Sequence, residues 1–391
     1  MRIDTRIAER IKKIKPSPTL SLTSKAKQLK AQGKDVVDFS AGEPDFDTPS
    51  FIKEAAVQAI NSGFTKYTPT TGIPELKKCI LEKFKRDNNL NYEPGQIVVS
   101  CGAKHSIFNT MLALVNRGDE VIIPLPYWVS YPEMVSLCEA RARFIHTRQE
   151  NNFKLKPEDL KKHIGAKTKL LILNSPSNPT GAVYSEDELN EIAGVCVEKK
   201  IFVISDEIYE KLTFDSLRHI SIASLGKEIY GLTITVNGLS KSYAMTGWRI
   251  GYLGAPLDIA EAVSKIQDHS TSNPNSIAQK AGLAALSMEG PFLKDMLAEF
   301  QRRRNYLIER LGQIKKLSFF KPQGAFYLFC DISRTGIDSL DFSRRLLEEV
   351  DVALVPGEAF GRKDYVRISF ATSLGQIEKG MNRIEEWLNK L

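Results

Sequence analysis

Ile201-Phe202-Val203-Ile204-Ser205-Asp206-Glu207-Ile208-Tyr209 decides how this chain folds. Its apolar, partly β-branched run, Ile201 to Ser205, suits a strand buried on both faces, as in parallel sheets. Before it stands a helix-patterned stretch, Glu186 to Lys199, with Ser185 and Glu188 spaced as a capping box. An aspartate where such a strand ends is costly unless a cation meets it.

Working outward, the same alternation repeats. Strands are expected at Ile97 to Ser100, Glu120 to Ile123, Ala142 to His146, Lys169 to Leu173 and Leu232 to Val236. Helices are expected between them, at Ala103 to Asn116, Tyr127 to Cys138 and within Leu155 to Ile164. Strands separated by helices call for a mostly parallel sheet covered on both faces, with ligands at the carboxyl ends of the strands. Upstream, Ser21 to Gln32, Pro49 to Asn61 and Pro74 to Asp87 read as helices and Asp35 to Phe39 as a short strand. Downstream come a second strand-like run, Arg249 to Gly254, and a helical region from Leu257 to Ser287 broken at Ser272-Asn273-Pro274-Asn275. A long helix then runs from Pro291 to Gly312, its Arg302-Arg303-Arg304 read as a solvated face. Beyond it, Phe319-Phe320, Phe326 to Asp331, Val352 to Val355 and Tyr365 to Ser369, with helices at Asp341 to Val350 and Ile377 to Leu391, read as a smaller α+β unit.

Composition narrows the function. The chain has 391 residues, 42% of them hydrophobic and 26% charged, enough for a large and a small domain. The net charge of +7 is spread along the chain without basic blocks interleaved with aromatics, so neither nucleic acid nor a membrane is an expected partner. Anionic small molecules suit it better. Five scattered cysteines without a CxxC pair and five histidines without HExxH spacing predict neither a disulfide framework nor a metal site. The charged amino terminus and the absence of a long apolar run predict a cytoplasmic protein.

Residues just after each apolar run are the candidates for chemistry. Ser100-Cys101-Gly102-Ala103-Lys104 opens a helix whose free N–H groups could receive a phosphate. Trp128, in Pro126-Tyr127-Trp128, serves equally as a core side chain or a stacking surface for a flat ligand. Asn174-Ser175-Pro176-Ser177-Asn178-Pro179-Thr180-Gly181 holds Asn178 on a stiff backbone. In Asn237-Gly238-Leu239-Ser240-Lys241, Lys241 is the amine offered at a strand end. A solvated lysine is the ordinary reading of that window alone. Gly42 is equally a turn glycine or a close approach to a ligand.

Asn178-Pro179-Thr180-Gly181, Asp206-Glu207-Ile208-Tyr209, Ser240-Lys241, Gly247-Trp248-Arg249 and Val366-Arg367-Ile368-Ser369 occur in the order and approximate spacing found in the fold-type I pyridoxal-phosphate aminotransferases. The resemblance covers nearly the whole chain. It is nearest to the bacterial and plastid aspartate aminotransferase subgroup that includes prephenate aminotransferases, through Lys15-Pro16-Ser17, Ala41-Gly42-Glu43-Pro44-Asp45-Phe46, Gly102-Ala103-Lys104, Pro126 to Pro132 and Ala244 to Arg249. It implies the α/β PLP-dependent transferase fold: residues 1–45 as an arm and part of the small domain, 46–290 as a large domain with a mostly parallel seven-stranded sheet, and 291–391 as a small α+β domain.

The resemblance also implies roles. Lys241 would be the Schiff-base lysine and proton shuttle, Asp206 the partner of the pyridine nitrogen, and Tyr209 and Asn178 the partners of the ring's phenolic oxygen. Trp128 would stack on the ring. Arg249, Ser240 and the backbone of Gly102, Ala103 and Lys104 would hold the phosphate, with Tyr67 from a second subunit of a homodimer. Arg367 would clamp the substrate α-carboxylate, with Asn178 and Gly42 assisting. Lys104, Lys15 and Thr19 would recognise the distal group. Aspartate, glutamate, their keto acids and prephenate are the implied substrates, in ping-pong exchange. Alternatives are an aromatic aminotransferase, a carbon–sulfur lyase, and a non-catalytic effector-binding regulator of the same fold.

Overall fold

The computed structural model describes residues 7–14, 18–288 and 290–391. After a short strand β1 (Val37–Asp38) come β2 (Ile97–Ser100), β3 (Glu120–Leu125), β4 (Arg141–His146), β5 (Thr168–Asn174), β6 (Phe202–Asp206), β7 (Thr233–Gly238) and β8 (Gly251–Gly254). The last seven form one sheet in the order β2-β8-β7-β6-β5-β3-β4. The neighbours from β7 to β4 run parallel. β8 runs antiparallel to both β7 and β2. Its reversal follows from its connection: the loop from Leu239 to Ile250 contains no crossover helix, so the chain returns beside β7 with Gly238 opposite Gly251.

Alternation along the strands builds both cores. Leu170, Ile172 and Ile204 pack on one face with Ile107, Met111, Met134 and Val263. Leu171, Leu173 and Val203 face the other side, against Leu189, Ile192 and Cys196. The helix Glu186–Lys199 carries the expected capping box, with the Ser185 side chain accepting from the Glu188 N–H.

The C-terminal part adds β9 (Ser318–Phe319), β10 (Tyr327–Asp331), β11 (Val352–Ala353), β12 (Val355–Pro356) and β13 (Tyr365–Ser369). β12-β13-β10-β9 form an antiparallel sheet. The expected single strand Val352 to Val355 is two, because β11 pairs with β1 while β12 pairs with β13. Val37 and Phe39 thereby join the core of Phe300, Leu307, Phe342 and Ile384.

Two further expectations need correction. The helix expected at Tyr127 begins at Ser130; the Tyr127 N–H is taken instead by the Phe360 carbonyl at 3.3 Å. The arginine run is not a solvated face. Arg304 is completely buried and its fork meets both carboxylate oxygens of Asp215 at 3.0 and 2.7 Å. Arg303 is buried between Glu299 and Asp45, and Arg302 alone stays mostly exposed, on Glu299.

Candidate active site

The carboxyl ends of β5, β6 and β7, the loop from Leu239 to Ile250, the Gly42 loop and β13 converge on a cavity of about 390 Å³. Lys241 lies just past β7 and donates to the Gly42 carbonyl at 2.6 Å. Desolvation brings its ammonium down to about 8; Glu43 and Asp206 oppose the fall, and Arg367 and Arg249 add to it.

Asp206 ends β6 and is 4% exposed. The Tyr131 hydroxyl donates to its Oδ2 at 2.6 Å and the Ile208 N–H to its Oδ1 at 3.3 Å. Burial nevertheless pushes the carboxyl up to about 6. It is a desolvated acid with room for a cation. Asn174 supports the neighbouring strand ends: its Nδ2 donates to the Asp206 carbonyl at 2.9 Å and its Oδ1 accepts the Asn178 N–H at 2.8 Å. The Tyr209 and Tyr327 hydroxyls are 3.0 Å apart, both raised by burial.

Arg367 comes from β13. Its Nη1 donates to Asn178 Oδ1 at 3.1 Å and its Nη2 to the Ser40 carbonyl at 2.9 Å. The guanidinium lies 4.2 Å from the Tyr327 ring centre and 5.2 Å from that of Phe360. Its Nε is buried without a hydrogen-bond partner, which suits an arriving carboxylate.

Next to the cavity-lining Ala103, Gly102 precedes the helix Ala103–Leu114 with φ of +89°. A Cβ there would stand 2.5 Å from Arg249 Nη2. Arg249 is held by the Thr246 carbonyl at 2.8 Å, and Ser240 is buried beside it along the cavity wall. The first-turn N–H groups, Arg249 and Ser240 together make an anion cradle. Lys104 Nζ sits 4.8 Å above the Trp128 ring and is held below the ordinary lysine value by burial and by Arg249.

The cavity therefore gathers Gly42, Ala103, Lys104, Trp128, Asn178, Asp206, Tyr209, Ser240, Lys241, Arg249 and Arg367, with Gly102 against Arg249. Tyr67 does not line it and is 89% exposed. Lys15 and the Thr19 side chain lie outside the described residues. Tyr131, Asn174, Tyr327, Phe360 and Glu43 also line it and were not singled out from sequence. Tyr131 had a cue, a hydroxyl within the aromatic run that follows β3. Tyr327 and Phe360 had none, because only tertiary packing brings them to these strand ends.

An amine, a buried acid, a carboxylate fork and an anion cradle share this cavity, and the family model described as aminotransferase class I and II matches residues 34–384. The chain belongs to this aminotransferase family. The aspartate aminotransferase of Bacillus subtilis (strain 168) is 47% identical over 98% of this aminotransferase chain and 99% of its own. The aspartate/prephenate aminotransferase of Nitrosomonas europaea is 44% identical over 98% of this chain and 100% of its own. Among solved structures, the aspartate aminotransferase of Rhizobium meliloti superposes with a TM-score of 0.95 at 41% identity, covering 98% of this chain and 99% of its own. That of Thermus thermophilus with maleate superposes with a TM-score of 0.94 at 41% identity, covering 97% and 99%. No helix among the described residues is long and apolar enough to cross a membrane.

Proposed function

We propose that this aminotransferase exchanges an amino group between L-aspartate and 2-oxoglutarate, giving oxaloacetate and L-glutamate, and accepts prephenate as a further keto acid. The observation that carries this reading is the Arg367 fork with its unpartnered Nε, sharing one cavity with Lys241 and Lys104. Two carboxylate-binding cations spaced about an amine suit a dicarboxylic amino acid. The names of the relatives, and the maleate of the Thermus structure, support the same chemistry.

The donor set fits pyridoxal 5'-phosphate. Asp206 would meet the ring nitrogen, Tyr209 and Asn178 the phenolic oxygen, and Trp128 a ring face. Gly102, Ala103, Lys104, Ser240 and Arg249 would hold the phosphate, and the partner subunit's Tyr67 would join them in a homodimer. When bound, the cofactor supplies an aldehyde that links to amines and a ring that takes up electrons from the substrate Cα.

The chain's own part is binding and proton transfer. Arg367 holds the α-carboxylate, which turns the Cα–H bond toward Lys241; positioning of this kind is worth several kcal/mol. Lys241 removes that proton as an amine and returns it. At pH 7 its neutral fraction is roughly one in ten, against roughly one in three thousand for an ordinary lysine. Lys104, with Lys15 and Thr19, would receive the distal group. We assign residues 1–45 to an arm and part of the small domain, 46–290 to the large domain and 291–391 to the small one, in a cytoplasmic enzyme whose five cysteines are unpaired.

The test mixes cofactor-loaded protein separately with aspartate, glutamate, phenylalanine and a cysteine conjugate, follows the visible band and measures keto-acid release. Oxaloacetate, 2-oxoglutarate and prephenate are then offered as acceptors. Fast bleaching by the two acidic amino acids, reversed by their keto acids, is expected. Response to phenylalanine alone, pyruvate release without bleaching, or no turnover at all would replace the reading by an aromatic aminotransferase, a lyase or a binding protein.

A further inference from the structure

A second group of charges lies on the sheet face opposite Asp206. Glu207 is fully buried. Ser205 Oγ and Ser221 Oγ donate to its Oε1 at 2.8 and 2.7 Å. Asn88 Nδ2 donates to Oε2 at 3.2 Å, and His219 Nε2 stands 2.9 Å from the same oxygen. Glu210 pairs with Lys83 and accepts from Asn88 Nδ2 at 2.7 Å, while Lys83 donates to Asn88 Oδ1 at 2.7 Å.

Donor atoms of Glu207, Glu210 and His219 lie within 4.8 Å of one another, a spacing that could hold a metal ion. The Lys83 ammonium already neutralises Glu210, however, and the Asn88 amide bridges the two carboxylates. The two carboxylates are thus paired without an ion, although both ring nitrogens of His219 are buried with no hydrogen bond. It ties the end of β6 to the helix Pro74–Asn88 and to the segment at Ser221, an expensive arrangement of buried charge for a site outside the cavity.

We propose that Glu207 is a positioning residue for Asp206: anchored by hydrogen bonds from Ser205, Ser221 and Asn88, with His219 against it, it fixes the end of β6 so that Asp206 faces the cavity. The inference rests on the pyridoxal phosphate reading above. Alternation at the strand end explains the geometry, since Ser205 and Glu207 turn to one face and Ile204 and Asp206 to the other. The electrostatics agree. Asp206 is faced by Tyr131, Tyr209 and Lys241, with Glu207 acting on it through space from the other face; burial raises it first, the Tyr131 hydrogen bond and Lys241 oppose the rise, and the negative charge of Glu207 adds to it. Tyr92 and Tyr252 also feel the Glu207 charge.

The experiment titrates the visible band of bound pyridoxal phosphate with pH in wild type, Glu207→Gln, Glu207→Asp and Glu210→Gln. Loss of a nearby negative charge weakens proton binding, so Glu207→Gln should lower the midpoint by about 0.5 pH unit or more, and Glu207→Asp should restore it. Glu210→Gln, in the same network but farther along the chain from Asp206, should lower unfolding stability and move the midpoint less than Glu207→Gln does. Ser221→Ala, which removes a donor and keeps the charge, should move the midpoint upward and covers the case in which Glu207→Gln does not fold. Equal shifts in both glutamine variants, or an unmoved midpoint in Glu207→Gln or Ser221→Ala, would overturn the proposal. Failure of wild type to form a band would instead overturn the cofactor reading.

Discussion

Replacing Asp206 by asparagine should make the cofactor-free protein more stable while ending its catalysis. The carboxyl is 4% exposed and holds its proton up to about 6, against 3.8 ordinarily. The folded state therefore binds more protons than the unfolded one between those values, and stability falls as pH rises through that window. Above it, ionised Asp206 costs about 3 kcal/mol, taking 1.36 kcal/mol for each pH unit. Asparagine carries no such cost. Its side chain can still accept from Tyr131 but gives up the 3.3 Å bond from the Ile208 N–H, a loss of about 1 kcal/mol. A net gain of about 2 kcal/mol should appear near pH 8, shrink as pH falls through the window and turn into a loss of about 1 kcal/mol below it. Urea denaturation of the cofactor-stripped proteins at one concentration, followed by tryptophan fluorescence near pH 8, 6 and 4, measures it. With pyridoxal phosphate bound the order should reverse, because the carboxylate then has its cation. An Asp206→Asn protein no more stable than wild type near pH 8, or a difference independent of pH, would refute the reasoning.

Three further outcomes follow from other parts of the molecule. Lys241 adds to an aldehyde only as the neutral amine, so the rate at which stripped protein develops its cofactor band should climb with pH and level off near 8; a climb continuing to pH 10 would show an unperturbed lysine. Gly102→Ala forces a side chain into a positive-φ position and against Arg249, which should weaken cofactor binding by about tenfold or more in equilibrium dialysis, and wild-type affinity would contradict the cradle. Arg304→Met should cost about 2 kcal/mol, below the cost of breaking a fully buried pair because Asp215 can hydrate. The hydrogen bond from Arg304 leads the causes that hold Asp215 down at about 2, so its contribution is present above the ordinary value and lost as pH falls toward 2; denaturation curves of the variant should be flatter across that acid range.

Much of the large sheet was legible because its strands are apolar runs interrupted by helical periodicity. Ile201 to Ile204 could hardly be anything but a buried strand, and the acid after it had to face something cationic or be paired. Strand ends were legible for the same reason: Asp206 closes its apolar run, while Asn178 and Lys241 stand in the loops after β5 and β7 and took their roles from the family resemblance. The order of strands in the sheet and the reversal of β8 were not, since both depend on which elements pair across the core. Arg303 and Arg304 misled because a charged triplet on a helix normally faces water, and their partners Asp45 and Asp215 are remote in sequence. Tyr327 and Phe360 were invisible as site residues for a related reason, their place being set by how the C-terminal sheet closes over the strand ends.

The antiparallel return of β8 has an evolutionary consequence. Because Gly238 is locked opposite Gly251, the connection between them is a span of set length bearing Lys241 near one end and Arg249 near the other. Surface connections ordinarily absorb inserted or deleted residues with little harm. This one is a ruler: adding or removing a single residue would change the distance between the amine and the anion cradle. Lineages of this chain should therefore drift in length at almost any other loop before this one.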